Sequence, residues 1–219
     1  MTQTRMDDRG KKNSVIGTIL VTIAVFCLYF ISCSSDDDDQ MPSYYIDLVE
    51  ANTNHDTLVT VIKLDNGKTY DVYQSIVAAT PDTTYRCLCT YELDSNKITL
   101  YRLEHVYSSY PRKASEFKSC PTDPVKFVSS WRSGGYLNLQ IGVMTTDAEQ
   151  HPFAFCEDSI TEKGTSKTVY FTLLHQRPNR DNESYTKTMF LSIPLSKYTD
   201  CDSFAIHVQT YEGLRQVVR

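Results

Sequence analysis

The chain has 219 residues, 41% of them apolar and 11% aromatic, with a formal net charge of -5. That length holds one large domain or two of ordinary size, and a mean hydropathy of -0.36 excludes a multispan membrane protein. Basic residues gather at the start, so the chain from Cys33 onward carries -7; such acidity argues against nucleic acid, whose recognition begins with a basic surface.

Residues Met1 to Lys12 are polar and net basic, and Val15 to Phe30 then run for sixteen residues without a charge. This is the layout of a secretory signal peptide, and the run falls short of the ~20 residues that span hydrocarbon comfortably. It ends in Phe30-Ile31-Ser32-Cys33, which resembles the lipobox of bacterial lipoproteins, with Phe30 where Leu is usual. The resemblance implies removal of residues 1–32 and acylation of Cys33, which anchors the chain to a membrane. Ser34-Ser35 and four adjacent aspartates, Asp36, Asp37, Asp38 and Asp39, follow. Like charges in a row repel and do not pack, so residues 33–43 read as a solvated tether. The same run resembles the acidic surface-export tag of some Gram-negative lipoproteins. The expectation is a lipid-anchored envelope protein on the outer membrane, facing the exterior.

Fifteen Tyr against eight Gly and eight Pro, with many Thr and Val, favour sheet over helix. The expected fold class is all-β. Tyr44 to Asn52, Leu58 to Leu64 and Thr69 to Tyr73 read as strands, with Asn66-Gly67 predicting a type I′ hairpin between the last two. In Tyr85 to Tyr91, period-2 alternation puts Tyr85, Cys87, Cys89 and Tyr91 on one face. Asp94-Ser95-Asn96 turns the chain into a strand from Lys97 to Val106. Five strands without an amphipathic helix predict a small OB-like barrel over residues 44–110.

Ser, Pro and Lys dominate Ser108 to Pro124 and cannot sustain a ladder, so residues 111–124 read as a linker. Six strands follow in residues 125–219: Val125 to Trp131, Tyr136 to Val143, Pro152 to Glu157, Thr168 to His175, Ser184 to Ile193 and Phe204 to Tyr211. Without a helical period, they predict an antiparallel β-sandwich.

Val128-Ser129-Ser130-Trp131-Arg132-Ser133-Gly134-Gly135-Tyr136-Leu137-Asn138-Leu139 is similar to a stretch of NigD-like lipoproteins. Leu174-His175 with Asp181 beyond it, and the strand Tyr85 to Tyr91, resemble further segments of the same family. Gln176 stands where members more often have Asn. The resemblance covers nearly the whole chain after Cys33 and implies an OB-like domain followed by a β-sandwich. The family's name comes from a bacteriocin gene cluster, and the family implies neither a catalytic activity nor a ligand.

No local motif for a nucleophile, a P-loop or a dinucleotide site occurs. The five His are scattered singly, without the close pairs of a zinc site. His175 and Asp181 flank one polar loop, as a clamp or as ligand contacts. Cys87-x-Cys89 reads as a pair of small core hydrophobes before a metal site. Five cysteines lie beyond Cys33, an odd number that leaves a free thiol, and Cys156 with Cys201 is the preferred bridge. Trp131, with Tyr136 beyond the turn, reads as a plug between sheets or as an aromatic platform, the plug being favoured. The polar loops Asp158 to Lys167 and Arg177 to Glu183 are the preferred places for recognition. The sequence thus predicts a non-enzymatic binding or structural module without cofactor or metal. Its partner is a protein, with a bacteriocin system as the setting; the alternative is a glycan-binding accessory lipoprotein of a nutrient-uptake system.

Overall fold

A computed structural model describes residues 44–78, 80–146, 151–178 and 184–219. The expected signal peptide, Cys33, Asp36 to Asp39 and Asp181 lie outside the described residues. Among those described, no helix is long and apolar enough to cross a membrane. Pro42 to Arg219 form one compact unit.

The first half is a barrel of β1 (Tyr44–Thr53), β2 (Val59–Leu64), β3 (Thr69–Gln74), β4 (Thr84–Asp94) and β5 (Lys97–His105). It closes in the order β1-β2-β3-β5-β4, with β3 and β5 parallel and the other pairs antiparallel. Alternation sends Val49, Ala51, Ile62, Tyr70, Cys87, Cys89, Tyr91, Ile98 and Leu100 inward. Cys87 and Cys89 are 2% and 0% exposed, as core residues, while Tyr85 packs only partly buried against that core. The β2–β3 turn differs from the expected type I′. Of the Asn66-Gly67 pair only Gly67 has positive φ, +86°, and Asn66 Oδ1 accepts the Lys68 amide at 2.9 Å. That side-chain bond favours a type I turn followed by a left-handed glycine.

The sandwich comprises β6 (Tyr107–Ser108), β7 (Arg112–Lys113), β8 (Lys126–Ser133), β9 (Tyr136–Thr145), β10 (Phe153–Lys163), β11 (Ser166–His175), β12 (Tyr185–Pro194), β13 (Ser203–Thr210) and β14 (Gly213–Val218). Its sheets run β14-β13-β11-β10-β7 and β6-β12-β9-β8. Leu137, Leu139, Ile141 and Val143 of β9 face Phe155, Phe171, Phe204 and Ile206 across an apolar core. Gly134 and Gly135, at φ +57° and +81°, make the β8–β9 hairpin a two-residue turn with both central residues left-handed.

Three segments depart from the sequence-based expectation. The segment expected as linker, and the end of the expected barrel, belong to the sandwich: β6 pairs in parallel with β12 and β7 with β10. Two-residue strands are too short to show a period, which hides them in sequence. Asp158 to Lys167 is not a loop, because β10 runs to Lys163 and β11 starts at Ser166 around Gly164. Its polar residues are the exposed end of a hairpin. Gly213 to Val218, not anticipated, pairs with β13 as an edge strand.

Candidate functional site: the barrel–sandwich junction

The barrel sits on the outer face of the four-stranded sheet, and a buried polar cluster joins them. Arg86 of β4 is outward on the barrel yet only 4% exposed. Its guanidinium grips Asp65 in two bonds, Nη1 to Oδ1 and Nη2 to Oδ2, the latter at 2.8 Å. Nη2 also donates to Asn138 Oδ1 at 3.2 Å, and Nε to Ser192 Oγ at 3.3 Å. Ser192 Oγ donates to Asn138 Oδ1 at 2.7 Å, and Asn138 Nδ2 donates to Ser133 Oγ at 2.9 Å. Ser133 Oγ in turn donates to Asp65. A planar fork suits this bidentate geometry, and every buried charge has a partner.

Tyr136 completes the cluster. Its ring lies 4.1 Å from Arg86 Cζ, a cation–π contact, and its hydroxyl donates to Glu50 Oε1 at 2.8 Å. Burial and the Glu50 carboxylate hold that phenol protonated, well above its ordinary range. Gly134 is dictated by the same junction: a Cβ there would lie 2.2 Å from Asp65 Oδ1. The Gly-Gly-Tyr-Leu-Asn stretch therefore builds the seat for the barrel.

Trp131 is not the expected plug between sheets. A β-bulge between Phe127 and Ser129 gives β8 one extra residue, so Trp131 pairs with Asn138 on the outer face while Phe127 pairs with core Ile141. Half-buried, Trp131 packs edge-on against Phe190 of β12 at 6.4 Å. With Leu48, Leu64 and Leu88 from the barrel they line a groove of about 480 Å³ along the junction. It meets a second recess of about 290 Å³, formed with Tyr107 and Met189, at Leu88 and Phe190. On the far side of the hairpin, Tyr110, Arg132, Tyr136, Tyr198 and Phe204 border a cleft of about 570 Å³.

His175 is 2% exposed. Its Nδ1 bonds the Asp123 carbonyl at 2.9 Å and its Nε2 meets His151 Nδ1 at 2.8 Å. The backbone of 121–123 pairs onto the end of β11, so His175 fastens the connector entering the sandwich. Burial is the largest influence on its pKa and lowers it below 6.5; His151 adds to this and the Asp123 carbonyl opposes it. Cys156 and Cys201 are free thiols, not a bridge: Cys201 lies in the intersheet core with Phe155, and alternation turns Cys156 to the other face of β10. Burial pushes the Cys87 and Cys89 thiols up to about 12. Among the described residues no three His, Cys, Asp or Glu are placed to hold a metal.

Sequence reasoning singled out Trp131 and Tyr136 as candidate aromatics but not Arg86, Asp65, Asn138 and Ser192 as site residues. The available signal was Arg86 itself, a lone charge between Tyr85 and the inward-facing Cys87 in an otherwise uncharged run.

A closed five-stranded barrel seated on the outer face of a two-sheet sandwich defines a two-module, all-β protein. The chain belongs to the NigD-like family: residues 108–218 match its C-terminal beta sandwich domain. The whole described architecture is similar to a NigD-like immunity protein from Bacteroides caccae, at 26% identity and a TM-score of 0.62, covering 81% of this chain and 92% of that one. A candidate toxin-related protein from Parabacteroides distasonis shares the fold at 16% identity and TM-score 0.61, with 81% and 92% covered. A candidate lipoprotein from Bacteroides fragilis does so at 14% and 0.59, with 81% and 97% covered. No curated protein matches the sequence.

Proposed function

We propose that this chain is a cell-envelope lipoprotein, acylated at Cys33 and displayed on the outer membrane, whose barrel–sandwich junction captures a protein partner without catalysing a reaction. The observation that carries this reading is the junction groove. Its Trp131 and Phe190 floor and leucine wall are apolar surface left at a rigid concave corner, and aromatic anchors in such corners dominate protein–protein binding energy. The Arg86 cluster keeps the corner fixed, so little ordering is needed on binding. The similar Bacteroides caccae structure is described as an immunity protein; carried to this chain, that description makes a bacteriocin the partner.

The test is capture from cell envelopes with the acylated chain, in parallel with Trp131→Ala and Phe190→Ala variants. A partner recovered by the native chain and lost with both variants supports the reading, and no stable partner with the native chain refutes it. Protease shaving of intact cells reports the outward orientation. A glycan-binding reading draws on the separate tyrosine-lined cleft beside Arg132. A glycan-array signal abolished by Tyr110→Ala would replace the protein-capture reading with that one.

A further inference from the structure

The end of the barrel where β1 begins carries an aromatic surface that the core does not use, and of its members Ile46 alone also borders the junction groove. Tyr44 is 54% exposed, Tyr101 50%, Tyr73 74% and Ile46 65%. Two of these face outward because of irregular register. Tyr101 is the extra residue where β5 slips against Tyr91 and Thr90 of β4, and Tyr73 is the extra residue where β3 slips against β5. A bulge re-aims a side chain, and both bulges on these strands present a tyrosine to solvent. Pairing places the four at the same end of the barrel: Tyr44 lies opposite Glu92 and Ile46 opposite Thr90, Glu92 lies opposite Thr99, and Thr99 opposite Gln74, with Tyr73 on β3 beyond β4 and β5 from Tyr44. The Tyr44 and Tyr101 rings meet edge-on at 5.0 Å. The Tyr101 hydroxyl donates to Glu92 Oε2 at 2.7 Å, and Lys97 Nζ stands 5.6 Å from the Tyr73 ring.

We propose that this face is a membrane seat: it rests in the interfacial layer of the bilayer that holds the chain's own acyl anchor. This rests on the reading of Cys33 as lipidated. The occupant follows from where the chain outside the described residues ends. Eleven residues, Cys33 to Ser43, precede Tyr44, and fully extended they reach at most about 39 Å. The face therefore begins where the tether joins the barrel and stays within that reach of the lipid. Tyrosine rings with an apolar body and a hydroxyl tip favour such an interface, and Ile46 adds aliphatic surface. Free in solution this patch is too small to hold a membrane. Joined by a short tether it meets the surface at millimolar effective concentration, so a weak preference suffices. The junction groove, which Ile46 also borders, then opens beside the bilayer.

The experiment compares the acylated full chain on phosphatidylcholine–phosphatidylglycerol vesicles with the non-acylated Cys33→Ser chain in solution. Lactoperoxidase iodination is read tyrosine by tyrosine by mass spectrometry. A seat occupied about four-fifths of the time lowers labelling of Tyr44, Tyr73 and Tyr101 roughly fivefold, while the sandwich tyrosines Tyr110 and Tyr211 label equally in both states. In an acylated Tyr44→Ser/Tyr101→Ser chain, Tyr73 labelling returns toward the solution level. Vesicle flotation separates the two claims. A chain that floats with Tyr44, Tyr73 and Tyr101 labelled as in solution overturns the seat and leaves the anchor standing. Tyr73 protection that persists in the double variant overturns the seat as well, since mere crowding near the bilayer explains it. A native chain that does not float overturns both.

Discussion

Asp65→Ala isolates the energetics of the junction. The Arg86 side chain is 2% exposed and Asp65 18%, so the substitution leaves a guanidinium buried with only the neutral acceptors Asn138 Oδ1 and Ser192 Oγ. Breaking a buried pair this way costs about 3–5 kcal/mol, a large share of the roughly 5–15 kcal/mol by which a domain is stable. Arg86→Met alone costs somewhat less, because Asp65 keeps the Ser133 hydroxyl and some water. The double variant removes both charges and leaves Asn138 bonded to Ser133 and Ser192. It is therefore expected to be more stable than Asp65→Ala, with a coupling of at least about 2 kcal/mol. Urea unfolding of the compact Pro42–Arg219 unit measures this, with Trp131 emission reporting directly on the junction. A midpoint shift of roughly 1–2 M is expected for Asp65→Ala. If each single change costs under about 1 kcal/mol and the two add, the cluster does not join the modules and the argument fails.

Three further outcomes follow from the same geometry. Gly134→Ala forces a methyl into Asp65 while Gly135→Ala meets open space, so the first exceeds the second in unfolding cost by at least about 1 kcal/mol, although both carry left-handed strain; equal costs by urea titration would refute the packing account. The His175 pKa is lower in the folded chain than its ordinary 6.5, so the unfolded chain binds the proton first. Its stabilisation is complete above that value and declines as pH falls below it, until the folded pKa is reached; urea midpoints between about pH 7 and 5 should flatten in His175→Gln. Of the five thiols in Pro42–Arg219, native alkylation should modify Cys120 alone, because Cys87, Cys89, Cys156 and Cys201 are buried; intact mass counts the labels, and two or more adducts on folded protein would contradict this.

Much of the fold was legible because a strand's side-chain period is two. Cys87, Cys89 and Tyr91 share the barrel interior as alternation requires, and Leu137, Leu139, Ile141 and Val143 do the same in the sandwich. The turn at Gly134 and Gly135 uses the positive φ that only glycine adopts freely. The site was less legible. Arg86 on an outward position reads as a solvated charge until a second module covers it, and His151 lies 24 residues from the His175 it bonds. Trp131 and Phe127, four residues apart, share a face under strict alternation and lie on opposite faces because of one extra residue between them.

The sequence by itself determined the all-β class, the two modules, most strands and the family-like stretch, since local alternation and turn chemistry are written in neighbouring residues. Tertiary structure alone decided where the modules meet, that Arg86 and Asp65 are buried together, and which tyrosines face outward. Bulges and docking between distant segments leave no period in the chain, so they are settled only when the strands pair.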